Sequence, residues 1–223
     1  MKKRILIVVL TILAVGFLTG CSSKSAKEFK ESYEALNGTT NKSGKEHRSV
    51  KIDSNNPFEK VEASEIVEKI NNKESFYVYF GDELCPWCRS VIEKFIEVAN
   101  KNNIKKVYYV KIWDKEGTEI LRSKYELDDN NELKEVIKGT DEYYKLLESF
   151  NDLLSDYTLT DKDGNKVDVH EKRIFAPNFV YVKDGVAVKL VDGISDKQKD
   201  AREELTKEML TDEEKTFNEF FNN

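Results

Sequence analysis

The segment YVYFGDELCPWCRSVIEKF, residues 77–95, constrains this chain more than any other. Its aromatic and β-branched start has the content of a central strand, ended by Gly81. Beyond Cys85 the residues Cys88, Val91, Ile92, Phe95, Ile96 and Ala99 recur at helical spacing. The Cys85-Pro86-Trp87-Cys88 motif therefore falls where a strand gives way to an amphipathic helix. Pro86 suits the first helical turn, where its missing N–H would have had no partner. The spacing turns Cys88 inward and leaves Cys85 at the exposed start of the helix. Metal capture, a structural crosslink and reversible redox chemistry all use Cys-x-x-Cys, and the motif alone leaves the three open.

The surrounding periodicity predicts a short strand over 49–52, a helix from Ser64 with Ile66, Val67 and Ile70 on one face, the strand 74–80, and another over 106–112. A β-α-β-α-β order calls for parallel pairing with helices packed on the sheet. Residues 113–172 interrupt it, with helices expected over 119–125, 133–138 and 140–154 and a hairpin around Asp163-Gly164. An insertion of this kind reads as a lid or wall beside a site. Two antiparallel strands turning at Asp184-Gly185 follow Pro177, and Thr211-Asp-Glu-Glu214 reads as a capping box opening a last helix with Phe217, Phe220 and Phe221.

The chain has 223 residues, enough for one domain with an insertion, and a net charge of -6, which gives no reason to expect nucleic-acid binding. A zinc site needs about four ligands. The two histidines, His47 and His170, share no short motif with another ligand and read as surface residues, so neither metal nor cofactor is expected.

At the N-terminus, Lys2, Lys3 and Arg4 precede an apolar run over 5–18 that is short for a spanning helix, as in an export signal. The closing Leu18-Thr19-Gly20-Cys21 resembles the lipobox of bacterial lipoproteins. That resemblance implies a signal peptide over 1–20, an acylated Cys21 and anchorage at the outer face of a cytoplasmic membrane. Residues 21–48 are polar and read as a flexible tether with one short helix over 27–36, followed by a domain over 49–223. With Cys21 taken by lipid, Cys85 and Cys88 remain as one pair in a compartment where disulfides persist.

A strand, Cys-Pro-x-Cys at a helix start, and a late residue-proline step into a hairpin and a last helix together resemble the thioredoxin superfamily. More narrowly, YFG-x-x-x-CPWC and Ala176-Pro177 before a strand resemble the bacteriocin transport accessory proteins of Gram-positive bacteria. The resemblance implies an α/β fold, thioredoxin-like, with a central mixed sheet flanked by helices and a helical insertion before the cis-proline strand. It implies Cys85 as the attacking sulfur, Cys88 as the resolving one, Trp87 as an apolar contact, and Pro177 in cis with Ala176 pairing to an extended substrate. The implied activity is thiol–disulfide exchange on exported proteins or peptides that carry thiols or disulfides, with a further redox partner restoring the pair. A non-catalytic accessory role in bacteriocin or peptide export is the alternative. The chain departs from the pattern at Tyr79, where thioredoxins carry a buried acid, and at Leu84, where a Trp often stands; Glu83 or water is expected to relay the Cys88 proton instead. Asp82 and Glu83 oppose the helix field at Cys85, and Arg89 is expected to offset them.

Overall fold

A computed structural model of the chain describes residues 24–222, so the export-signal expectation for 1–20 and the acylation expectation for Cys21 lie outside the described residues. The chain runs α1 (Lys24–Glu34), β1 (Phe58–Lys60), α2 (Ala63–Asn71), β2 (Phe76–Gly81), α3 (Pro86–Lys101) and β3 (Val107–Lys111). It continues with β4 (Lys124–Leu127), β5 (Leu133–Ile137), α4 (Asp141–Phe150), β6 (Ser155–Thr160), β7 (Lys166–Arg173), β8 (Asn178–Lys183), β9 (Val186–Val191) and α5 (Lys207–Phe221). The central sheet is mixed, in the order β1-β3-β2-β8-β9. β1 and β2 run parallel to β3, whereas β8 runs antiparallel to β2 and to β9. Among the described residues no helix is long and apolar enough to cross a membrane.

The alternation of β2 sorts two cores. Tyr79 joins Phe29 and Tyr33 of α1, Val91 and Phe95 of α3, and Phe217 and Phe220 of α5 on one face. Val78 and Phe80 join Ile66 of α2 and Tyr143, Leu146 and Phe150 of α4 on the other. Both faces are covered, which is why β2 reads as a nearly continuous apolar run.

Two segments expected to be peripheral complete these layers. The tether expected over 21–48 folds from Lys24 onward, because Ala26, Phe29 and Tyr33 form a stripe that buries on the sheet, with Phe29 stacked on Phe58 at 4.1 Å. Ser25 Oγ accepts the Lys60 amide at 2.8 Å, so α1 also covers a donor of the edge strand. The strand expected over 49–52 does not form. Its amides are taken by side chains instead: Val50 by Asn37 Oδ1, Lys51 by Glu93 Oε1 and Ile52 by Glu34 Oε1, each at 2.9 Å.

The insertion is only partly helical. Where helices were expected over 119–125 and 133–138, β4 and β5 pair as a hairpin. Asp128-Asp-Asn-Asn131 turns the chain, with Asp128 Oδ1 accepting the Asn130 and Glu132 amides at 2.8 and 3.0 Å and Asn131 at φ 61°. Helix α4 forms as expected though shorter, and β6 pairs with β7 around Asp163-Gly164. The last helix starts earlier than the Thr211 capping box implied: Thr206 Oγ1 accepts the Met209 amide at 3.2 Å, and Thr211 lies mid-helix with its hydroxyl on Lys207 O.

Gly81 is required by space. A Cβ there would lie 2.1 Å from Cζ and from the hydroxyl of Tyr79, whose ring folds back over the strand end. Gly81→Ala is expected to destabilise the protein by about 1–3 kcal/mol in a denaturant titration. An unchanged midpoint would contradict this placement of the Tyr79 ring.

Glu213 on α5 is fully enclosed, and neither carboxylate oxygen has a hydrogen-bond partner. Burial pushes its pKa up to about 7, and the charges of Lys94 and Arg48 only partly oppose this. Above the ordinary carboxylate range the unfolded chain loses this proton while the folded one keeps it up to about pH 7. Stability from this group is therefore full in acid and falls as pH rises through that window. Glu213→Gln is expected to stabilise by about 1–3 kcal/mol at mildly alkaline pH and to change little in acid, read as denaturant midpoints at both ends.

Candidate redox site

The loop from β2 into α3 places the first sulfur. Asp82 Oδ1 accepts the Leu84 amide at 2.9 Å and Asp82 O accepts the Cys85 amide at 3.2 Å, which turns the chain into the helix. Cys85 is then the N-cap, at φ −74° and ψ 118°, and its Sγ accepts the Cys88 amide at 3.3 Å. Pro86 takes the first helical position, as expected. The sulfur stands where a Ser or Asp cap would, at the positive end of the helix dipole.

From the other side, the Cys85 thiol donates to Ala176 O at 3.4 Å, and the Ala176-Pro177 bond is cis. Cys85, Cys88, Ala176 and Pro177 are thus brought together from two elements far apart in sequence. Cys85 and Cys88 are unbridged thiols. Cys85 is not at an exposed edge: it is 3% exposed and Cys88 0%. The Ala176 carbonyl lies on its sulfur, and Trp87, Trp113 and Ala176 pack against the buried cluster that holds both cysteines.

The two thiols are shifted in opposite directions. Burial pushes Cys85 up, but hydrogen bonds from the Cys88 thiol and from the Cys88 and Trp87 amides, together with the charge of Arg122, bring it below the ordinary thiol value. Burial also pushes Cys88 up, the hydrogen bond and charge of Cys85 add to this, and the result is a thiol well above its ordinary value. Cys85 therefore holds its proton less tightly than Cys88 does.

Tyr79, at the position six residues before Cys85, is fully buried in the same cluster as Cys88 and pairs with Tyr33 of α1, the hydroxyl oxygens 2.8 Å apart. Burial raises both phenols well above their ordinary value, so they are neutral groups able to donate or pass a proton. Glu83 is occupied elsewhere, with Lys111 Nζ at 2.6 Å and Tyr109 OH at 3.3 Å. The carboxyl with the raised pKa in this loop is Asp82 instead: fully enclosed, it is raised to about 7 by burial and by Glu83, with Lys111 3.4 Å from Oδ2. Arg89 donates to Arg48 O, Tyr33 O, Glu83 O and Asn37 Oδ1, and its charge acts on Glu83.

His47 is buried rather than on the surface, while His170 is exposed beside Asp168. Among the described residues no group of three or more His, Cys, Asp and Glu is placed to hold a metal ion. Tyr33, Arg122 and the tuned state of Asp82 escaped the sequence reading; the Ala26, Phe29, Tyr33 spacing was the one available signal that α1 docks. No protein-family model matches this sequence, and no curated protein matches it.

Proposed function

We propose that this chain is a thioredoxin-like thiol–disulfide oxidoreductase. The observation that carries the reading is a single sulfur, Cys85 Sγ, capping α3 while it contacts the carbonyl of Ala176 beside a cis proline. The thioredoxin-like assignment is supported by the sheet order, by α3 leaving the end of β2 with both cysteines, and by the antiparallel β8 and β9 after Pro177.

In this reading the Cys85 thiolate attacks one sulfur of a client disulfide. The client S–S bond breaks, its second sulfur leaves as a thiolate, and a mixed disulfide forms. Cys88 then passes its proton to the carboxylate of Asp82, whose pKa is raised to about 7, and attacks Cys85 Sγ. The client's first sulfur leaves, and the protein holds a Cys85–Cys88 disulfide while the client has gained two electrons. The same steps reversed oxidise a client. An extended client would pair with the Ala176 backbone, with Trp87 as an apolar contact.

We place the protein at the outer face of a cytoplasmic membrane through lipid on Cys21, acting on exported proteins or peptides, with a separate redox partner restoring the pair. α1 begins three residues after Cys21. Lipid there would hold the domain within about 10 Å of the bilayer rather than at the end of a long tether. Insulin reduction by wild type and by Cys85→Ala tests the reading. The 3% exposure of Cys85 favours the second one, a non-catalytic accessory module for bacteriocin or peptide export, and equal rates for the two chains would remove the enzyme reading.

A further inference from the structure

We propose that Arg122, carried by the insertion, is a positioning residue of the redox site: its buried guanidinium, tied to the cis-proline loop, stabilises negative charge on Cys85. This rests on the redox reading above and assigns the insertion an electrostatic part in it.

Arg122 is 4% exposed, and its Nη1 donates to Ile174 O at 3.0 Å. Ile174 lies two residues before Ala176, whose carbonyl is 3.4 Å from Cys85 Sγ. The guanidinium also lies 5.8 Å from the centroid of the Trp113 ring, which packs against the cluster containing both sulfurs. Glu119 accepts from Arg122 on both oxygens, from Nε at 2.9 Å and from Nη2, but its Oε1 also accepts from Arg173 Nη2 at 3.2 Å, while Arg173 Nη1 holds Ser123 O at 2.6 Å. Two guanidinium groups on one carboxylate leave one enclosed positive charge.

The other charged and titratable groups around the thiol do not supply this charge. Asp82 and Glu83, in the loop before α3, are negative when ionised and have Lys111 of β3 as their cation. Arg89, on α3 itself, keeps its charge, since its acceptors are neutral oxygens of Arg48, Tyr33, Glu83 and Asn37, but that charge faces the carboxylates of Glu83 and Glu93. Cys88 and the phenols of Tyr33, Tyr79 and Tyr109 are held protonated, burial being the first cause for each. Against the burial that raises Cys85, the charge of Arg122 acts in the same direction as the amide hydrogen bonds of the helix end.

The test is a pH titration of the reduced full chain, following Cys85 by the Cβ carbon shift of labelled cysteine. Wild type, Arg122→Met, Arg122→Lys and Glu119→Gln are compared. At a pH below the wild-type midpoint, Arg122→Met is expected to lower the Cys85 thiolate fraction roughly three- to tenfold. Arg122→Lys, which keeps the charge and loses the planar fork, is expected to stay within about twofold of wild type, and Glu119→Gln to raise the fraction. A Cys85 midpoint depressed in wild type yet indifferent to Arg122→Met would overturn this inference alone. So would lysine behaving as methionine does, or Glu119→Gln moving the midpoint upward, because both are the marks of a purely structural role. Should Arg122→Met fail to fold, the direction seen in Glu119→Gln decides. An ordinary thiol midpoint in wild type would overturn the redox reading together with the inference.

Discussion

A chain carrying Cys88→Ala is expected to accumulate as a covalent disulfide with its client, while Cys85→Ala accumulates none and loses disulfide reduction by about a thousandfold or more. The asymmetry follows from the thiols. Cys85 caps α3 and is pulled below the ordinary thiol value against its burial by the Cys88 thiol, the helix-end amides and Arg122. It can open a client disulfide before the second sulfur reacts. Cys88 is fully enclosed and keeps its proton, so its part comes only after the mixed disulfide has formed. Removing it also removes a hydrogen bond to Cys85, which slows the first step but leaves the product with no internal route of release. Non-reducing electrophoresis of membranes from cells expressing each variant reads the adducts, and insulin reduction reads the rate. Equal adducts from the two variants would contradict the assignment of attacking and resolving sulfurs.

Arg89→Met is expected to cost about 3–5 kcal/mol, roughly 10 °C in Tm for a domain of this size. Arg89 is 0% exposed, and its guanidinium donates to Arg48 O at 2.7 Å, Tyr33 O and Asn37 Oδ1 at 2.8 Å, and Glu83 O at 3.3 Å. Those donors pin the segment around α1 to α3. Methionine fills the space but leaves the carbonyls without partners, and each enclosed orphan costs about 1–3 kcal/mol. The loss should also be local: amides of α1 are expected to exchange faster than those of α4, which packs on the opposite face of the sheet. Tyr33 belongs to α1, so its bond to Tyr79, and with it the setting of Cys88, should loosen together. A loss under about 1 kcal/mol would mean that solvent reaches those carbonyls and that the segment is not locked by this side chain.

What the sequence made legible was local. Over 77–99 the change from strand content to helical period is confined to one short run, and the cysteines fall at the junction. The hairpin after Pro177 is marked by Asp184-Gly185, with Asp184 at φ 51° and Gly185 at φ 80°. What stayed hidden depends on distant partners. The stripe of α1 is only three residues long in a polar stretch, and its burial depends on Phe58 and Tyr109, far along the chain. The alternation at 49–52 is real, but side chains of Asn37, Glu34 and Glu93 captured the amides a strand would have used. In the insertion, charge-rich segments look helical until Asp128-Asp-Asn-Asn131 is weighed as a turn. The same division runs through the site. Cys85, Cys88 and Pro177 stand in recognisable motifs, whereas the enclosure of Cys85 and the roles of Tyr33 and Arg122 arise from elements that only the fold brings near.

Equilibrating the purified protein with glutathione buffers of graded ratio, and counting the free thiols of Cys85 and Cys88 at each, tests the account most directly. It predicts one two-electron transition between dithiol and Cys85–Cys88 disulfide, with the same midpoint approached from either side and lost in Cys85→Ala. A pair that stays reduced, or stays oxidised, across the whole series would contradict it.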